Sequence, residues 1–385
     1  MIRVGQGWSE YSGHANPEFC RARALALAER VEKTIRGVEL YQRVSRTTRA
    51  RRDAGSVTAT TGLEEGTALR RVAADAATPR FVSSAGGDEH TVDNLCALLD
   101  GRGSSVTLPP RESATLIDDE PTGTIGAEQL RTWLEAAPGE TAWVESAATV
   151  EVWVEPGSVL GCRVRRRTWA MARLADGSTR WTAVRGPELP PPVDTAAAGS
   201  GGLPRGGGSA TVVLRPGAVA TLLPALVGAL HADPARVGTR VGRGWSVLED
   251  PKEKRALFGG MFDDVLDPAA PQRLAAGGRI QAALQAPGIR RRASVHDAPV
   301  PMPVNLRVDA PPVATPSGLT PVAQLHLYAL DPNRWVLEIP GPRPRFVRTG
   351  PLDLARRCVG SVGEAVATQR GVLTAALVFE GLVFD

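Results

Sequence analysis

The chain has 385 residues, 43% hydrophobic, 22% charged and 5% aromatic, with a formal net charge of +4. That length allows two or three domains with their own cores, in the composition of an ordinary soluble globular protein. No apolar run is long enough to span a bilayer and Met1-Ile2-Arg3-Val4 begins no signal peptide, so a cytoplasmic protein with no membrane partner is expected.

Asn16-Pro17 opens a helix, a capping residue followed by proline in the first turn. Cys20, Ala24, Leu27, Val31 and Ile35 form its apolar stripe and Gly37 ends it. Three strand-like runs follow at 38–44, 55–61 and 66–72, then a helix near 90–99 with Val92, Leu95, Cys96 and Leu99 on one face. From 141 to 184 the pattern is that of strands. Val150, Val152 and Val154 alternate with Glu151, Trp153 and Glu155, and Asp176-Gly177 makes a hairpin turn. Arg165-Arg166-Arg167 is expected on an edge strand guarded by charge.

Positive charge is carried almost wholly by Arg, since Lys stands only at positions 33, 252 and 254. The clusters at 49–52, 165–167 and 290–292 come with no aromatic-rich module, so solvated faces and no nucleic-acid partner are expected. The four cysteines and five histidines are scattered without metal-ligand spacing, and Cys20 and Cys96 read as core residues. Residues 186–209 hold Pro190-Pro191-Pro192, Ala196-Ala197-Ala198 and Gly206-Gly207-Gly208, the composition of a mobile linker. The expected organisation is an amino-terminal α+β domain over 1–185, a linker over 186–209 and a strand-rich carboxy-terminal domain over 210–385.

That second domain begins with the strand-like Thr211-Val212-Val213-Leu214 and a helix opened by Pro216-Gly217, on which Leu222, Leu226 and Leu230 recur every four residues. The helix, with its flanks, resembles the HExxxH helix of the TldD/PmbA family of zinc metallopeptidases. When Val227-Gly228 is laid on the family's Val-Gly, Pro224 stands at the first ligand position, Ala225 at the general base and Ala229 at the second ligand. A zinc site needs imidazole nitrogens and a carboxylate that takes a proton from bound water, and none of these residues supplies either. Further fragments resemble the family in the same order. Val247-Leu248-Glu249-Asp250-Pro251 is similar to its "DDP" strand and Phe262-Asp263-Asp264 to its "FDDEG" turn, with Val265-Leu266 in place of Glu-Gly. Arg290-Arg291-Arg292 with Pro301 to Leu306 is similar to a family stretch of type "R…P…SNL", and the closing stretches 350–363 and 382–385 are similar to the ending of the PmbA (TldE) branch.

The resemblance implies a two-domain α+β fold and a catalytically inactive TldE/PmbA-like subunit with no metal and no cofactor of its own. Its expected partner is a TldD-like subunit carrying the zinc, the two enclosing a chamber in which unstructured peptides are cut. Members of such pairs serve toxin-peptide maturation and the trimming of ribosomal peptide natural products. Cys358 is expected to fill the core within a helical segment rather than to bind metal. Asp263 and Asp264 are expected to form a turn before a strand, a place the resemblance makes structural or a domain contact, rather than a pair of acid/base carboxylates. His231 is the histidine expected to come nearest a cleft, although a helix-end cap or surface place is the plainer expectation. Trp245 and Phe262 are the candidate partner or peptide contacts, because aromatic side chains give large area at small entropic cost. Two other readings stay open: an enzyme with a different site, and a stand-alone peptide-binding protein.

Overall fold

The computed structural model describes residues 16–71, 80–100, 116–119, 125–175, 179–186, 188–193, 195, 203, 207–253, 258, 260–264, 266, 268–284, 290–291, 296, 300–301, 305–317, 319, 321–340, 343–368 and 371–385. The expected turn at Asp176-Gly177 lies outside them.

The first helix, α1 (Pro17–Thr34), is capped by the Asn16 side chain, which accepts from the Glu18 amide at 2.8 Å. Its expected stripe is buried, with Cys20, Ala24, Leu27 and Val31 inside. The strands β1 (Glu39–Asp53) and β2 (Ser56–Arg71) form one long hairpin. The runs expected at 55–61 and 66–72 are thus a single strand, because Gly62 and Gly66 stay in register opposite Thr47 and Arg43. The turn falls at Ala54 and Gly55, both at positive φ (44° and 85°), as a tight two-residue hairpin requires.

Next come β3 (Arg80–Ala85), α2 (Glu89–Asp100), β4 (Leu116–Asp119), α3 (Ala127–Ala136), β5 (Thr141–Glu155), β6 (Ser158–Arg173) and β7 (Thr179–Arg185). The strands form one sheet in the order β3-β2-β1-β5-β6-β4, with β7 also paired to β6. The helices cover one face of it: Val150, Val152 and Val154 pack in one cluster with α1 and α2, and Val144 packs with Leu130 and Leu134 of α3. The expected alternation in β5 is real, yet Glu151 and Trp153 are buried as well. Both faces of β5 are covered at that end.

The carboxy-terminal half contains β8 (Ser209–Leu214), α4 (Pro216–His231), β9 (Ser246–Glu249), β10 (Gln272–Ala276), β11 (Arg279–Ile280), β12 (Arg290–Arg291), β13 (Val300–Pro301) and β14 (Leu306–Asp309). After these come β15 (His326–Asp331), β16 (Arg334–Ile339), β17 (Arg345–Thr349), α5 (Pro351–Arg357), β18 (Cys358–Ala367) and β19 (Val372–Val383). One sheet runs β11-β10-β9-β14-β19-β18, with β8 also on β19, and a smaller one runs β15-β16-β17. Leu222, Leu226 and Leu230 of α4 enter one core with Val247, Leu306 and Phe379. The architecture is α+β. Among the described residues no helix is long and apolar enough to cross a membrane.

Part of the expected linker is packed against the amino-terminal half. Val193 is buried in the α3 cluster and the Trp133 indole donates to the Pro190 carbonyl at 2.8 Å. Leu203 joins the core of the other half instead.

The two halves are joined by the segment around Phe262. Its ring is fully buried, edge-on to Trp153 at 5.5 Å, and Trp153 in turn meets Tyr41 at 5.0 Å. Gly161 on β6 makes room for it: a Cβ there would fall 2.6 Å from Leu266 Cδ2 and 3.4 Å from the Phe262 ring. Gly161→Ala is therefore expected to destabilise the protein by about 1–3 kcal/mol, the usual range for overpacking a filled core, as read from the urea midpoint.

Candidate functional site

Helix α4 sets the site. Its buried side is apolar, and its partly exposed side carries Gly217, Thr221, Pro224, Ala225, Gly228 and Ala229. Gly217, Thr221 and Ala225 of that side border a cleft of about 1050 Å³. Ala225 and Thr221 form part of the cleft wall, whereas Pro224 and Ala229 do not reach it and Ala229 packs on the core. Proline and alanine offer no side-chain donor atom, so the three positions do not fit a zinc ion. Among the described residues no three His, Cys, Asp or Glu side chains come together as a ligand set.

The other cleft walls come from distant parts of the chain. Arg180 and Trp181 of β7 contribute from the amino-terminal sheet, Gln324 and His326 from the approach to β15, and Glu364 and Val366 from β18. The Thr179 amide donates to Gln324 Oε1 at 3.4 Å, a bond between the two halves at the rim. His326 Nδ1 lies 3.4 Å from Glu338 Oε2, which also accepts from the Tyr328 hydroxyl at 2.7 Å. Among the described strands β18 pairs with β19 alone. Residues 311–313 run along its other edge only as far as Ser361, so its later residues present backbone groups to the cleft side among the described residues.

The expected site residues fall in varied places. His231 is neither a surface cap nor a cleft residue: it is wholly buried, with Nδ1 2.7 Å from the Ala282 carbonyl. Burial holds its pKa below the ordinary value despite that bond, so the neutral imidazole donates from Nδ1 and ties the end of α4 to the segment after β11. His326 is the histidine at the cleft. Cys358 is core filling as expected, but it starts β18 instead of lying in a helix, and burial pushes its thiol up to about 12. A thiol so protonated is no nucleophile at neutral pH. Trp245 is 3% exposed, donating from its indole to the Val241 carbonyl at 3.4 Å inside the core beneath α4. The area of Trp245 and of Phe262 is thus used within this chain, and neither ring is presented to solvent.

Asp263 and Asp264 are both buried, and Asp264 stands at the domain contact. Arg163, 1% exposed, donates from Nη2 to Asp264 Oδ1 at 2.5 Å, from Nε to Glu151 Oε2 at 2.8 Å and from Nη1 to the Phe262 carbonyl at 3.3 Å. The Tyr41 hydroxyl donates to the other Glu151 oxygen at 2.7 Å. The guanidinium also lies 5.0 Å from the Trp153 ring centroid and 5.5 Å from that of Phe262. The edge strand expected at Arg165-Arg166-Arg167 is corrected: β6 is paired to β5 on one side and to β4 and β7 on the other. Arg165 and Arg166 are each 8% exposed. Arg163, Arg165 and Arg167 alternate onto one face, opposite Glu151, Thr149 and Ala147 of β5. The sequence signal for this was the spacing of two itself, Arg163-x-Arg165-x-Arg167 facing Glu145 to Glu151, which charge clustering alone does not distinguish from a solvated strand.

No family model matches the sequence, and no curated protein matches it. Solved structures do match along nearly the whole chain. The crystal structure of TldE from Thermococcus kodakarensis superposes with a TM-score of 0.65 at 12% identity, covering 94% of this chain and 99% of that one. A proposed modulator of a DNA gyrase from Thermotoga maritima superposes with a TM-score of 0.65 at 14% identity, covering 96% and 100%. A proposed modulator of DNA gyrase from Bacteroides thetaiotaomicron gives 0.63 at 12%, covering 96% and 99%. The chain has the fold of TldE.

Proposed function

We propose that this chain is the non-catalytic, TldE-like subunit of a two-subunit zinc peptidase acting on unstructured peptides. One observation carries the reading. The helix that resembles an HExxxH helix lies against a large cleft, yet offers it only small side chains, Thr221 and Ala225 among them. The cleft is kept while the donor set is not. The TldE fold over nearly the whole chain agrees with this division of labour. Zinc and the water it activates belong, in this reading, to the TldD-like partner.

The peptide would lie extended along the cleft. The edge of β18 offers main-chain hydrogen bonds on either side of the irregularity between Val362 and Val366, and Val362, Glu364 and Val366 line the cleft beside it. Strand addition of this kind takes affinity from the backbone and selectivity from alternate side chains, which suits a substrate without structure of its own. Peptide maturation, including leader trimming, is a fitting role for such a chamber.

The partner's docking surface is better sought on the small sheet than at Trp245 or Phe262. Its inner face sends Trp335, Leu337 and Val347 into the core. Tyr328 and Phe346 lie on its outer face, 49% and 36% exposed, with Leu330 at the end of β15 65% exposed. That apolar surface is continuous with the cleft through His326, which stands on the same strand face as Tyr328. The experiment is co-expression with a TldD-like zinc subunit, followed by size exclusion. Co-elution, lost on the change Tyr328→Asp with Phe346→Asp, supports the reading, and a chain indifferent to that partner contradicts it.

A further inference from the structure

The open face of the amino-terminal sheet has no part in the contacts described so far beyond its Trp153 end. A cavity of about 300 Å³ sits on it, lined among others by Arg43, Ser45, Arg49, Thr149, Arg167 and Trp169. Ser45 and Thr149 share a hydrogen bond of 3.0 Å at its floor. Arg165 is the register partner of Thr149 on this face, and its side chain is 10% exposed. Its Nε and Nη2 are buried without a hydrogen-bond partner, and the nearest carboxylate, Glu151, is 3.9 Å from Nε. Arg43 makes no hydrogen bond or salt bridge among the described residues, whereas Arg49 is paired with Glu145.

A buried guanidinium with idle donors is costly unless an acceptor reaches it. Glu151 is already engaged by Arg163 and Tyr41, leaving Arg165 without a share at bonding distance. Burial and the neighbouring Arg163 push the Arg165 guanidinium down to about 9, the direction expected of cations crowded together with too few anions. A carboxylate entering the cavity would meet Arg43, the hydroxyls of Ser45 and Thr149, and Arg167, whose guanidinium also lies 4.8 Å from the Phe258 ring centroid, while Arg165 shares the face but lies outside the cavity lining. Arginine's planar fork suits that group, since it binds a carboxylate through two parallel N–H bonds.

We infer that this face binds the carboxylates of an extended acidic peptide segment. Two observations favour a peptide over a polynucleotide. Glu64 and Glu145 stand among the arginines lining the cavity, and they would repel an unbroken row of phosphates while leaving room for carboxylates spaced along a chain. The face also leads to the cleft. On β7, Arg185 is opposite Arg167, and Trp181, four residues away or roughly 13 Å along the strand, already lines the cleft. Trp143, edge-on to Trp181 at 5.3 Å, makes that path aromatic. The inference deepens the proposed function and rests on its peptide substrate, naming an acidic segment as what is held while the remainder reaches the chamber.

The test uses the purified full chain without any partner. Fluorescein-labelled octapeptides of alternating Glu-Gly, Ser-Gly and Lys-Gly, and an oligothymidine of the same charge as the Glu peptide, are titrated by anisotropy at about 50 mM salt, where charge interactions are little screened. Saturable binding of the Glu peptide is expected, at least about tenfold tighter than the Ser peptide, a ratio that one charge-assisted contact supplies. Arg43→Gln with Arg167→Gln should weaken it by about tenfold or more in a variant whose circular dichroism shows the native fold kept. Equal binding of the Glu and Ser peptides, tighter binding of the oligothymidine, or indifference to the Arg43 and Arg167 changes overturns the inference. Co-elution with a zinc subunit is measured separately, so acidic-peptide binding without co-elution counts against the proposed partnership alone, and co-elution without acidic-peptide binding counts against this inference alone.

Discussion

Replacing Arg163 with methionine is expected to lower the unfolding free energy by about 3–5 kcal/mol, the usual consequence of leaving buried carboxylates without their cation. The side chain is 1% exposed and bonds to Glu151 on its own sheet and to Asp264 from the other half of the chain. Methionine preserves much of the volume beside Trp153 and Phe262, so the loss reads the charge more than the packing. Arg163 also bonds across both halves around Phe262, beside the Asp118 carboxylate that accepts from the Met261 amide at 2.9 Å, which gives the measurement a second readout. Urea transitions followed by tryptophan fluorescence and by circular dichroism should coincide in the parent and separate in the variant as the halves uncouple. A loss below about 1 kcal/mol, the size expected of an exposed pair, would show that the network is not a buried bolt.

The same network fixes the sign of a pH effect. Burial alone would raise the Glu151 pKa, but Arg163, then Arg165 and Arg43, outweigh it and hold the carboxyl well below the usual range. A carboxyl depressed in the folded state contributes stability above its unfolded value, near about 4.3, and loses it as pH falls through the folded value. The difference between parent and Arg163→Met should therefore be largest near neutral pH and shrink on acidification. A difference that grows as pH falls from 7 to 4 would contradict the assignment.

Elements with local signals were legible in the sequence. Asn16-Pro17 capping and the stripe from Cys20 to Val31 give α1 its place, and the leucines at four-residue spacing give α4 its buried side. The glycines of β2 were misleading, since Gly62 and Gly66 suggest punctuation while ladder pairing to β1 carries the strand straight through. Burial on the second face of a sheet was the least legible property. Arg165 and Arg166 suggest a solvated face because they are charged, yet the segment around Phe262, about a hundred residues further on, closes over the end of the sheet that holds Glu151 and Arg163. Trp245 illustrates the converse case: an aromatic residue in a glycine-rich stretch suggests a contact surface, and within this chain Val241 and the α4 cluster enclose it. The empty ligand positions Pro224, Ala225 and Ala229 are plain in the sequence, but the cleft is not. It needs Trp181, Ala225, His326 and Val366 in one place, and no local pattern links residues so far apart.

The central claim is that this chain shapes a peptidase chamber without doing its chemistry, and a reconstituted peptide digest tests it most directly. The chain is purified alone, with Pro224→His, Ala225→Glu and Ala229→His combined, and together with a TldD-like subunit whose HExxxH motif is intact. Each preparation is given an unstructured peptide and assayed for cleavage and for zinc. The account predicts no cleavage by the chain alone and none by the triple variant, which still lacks a third ligand. It predicts cleavage by the mixture, with zinc in the partner and a contact on the order of 2,000 Å² or more, as obligate pairs bury. Steady hydrolysis by the isolated, metal-free chain, or a zinc subunit that neither co-elutes with this chain nor changes activity in its presence, would contradict it.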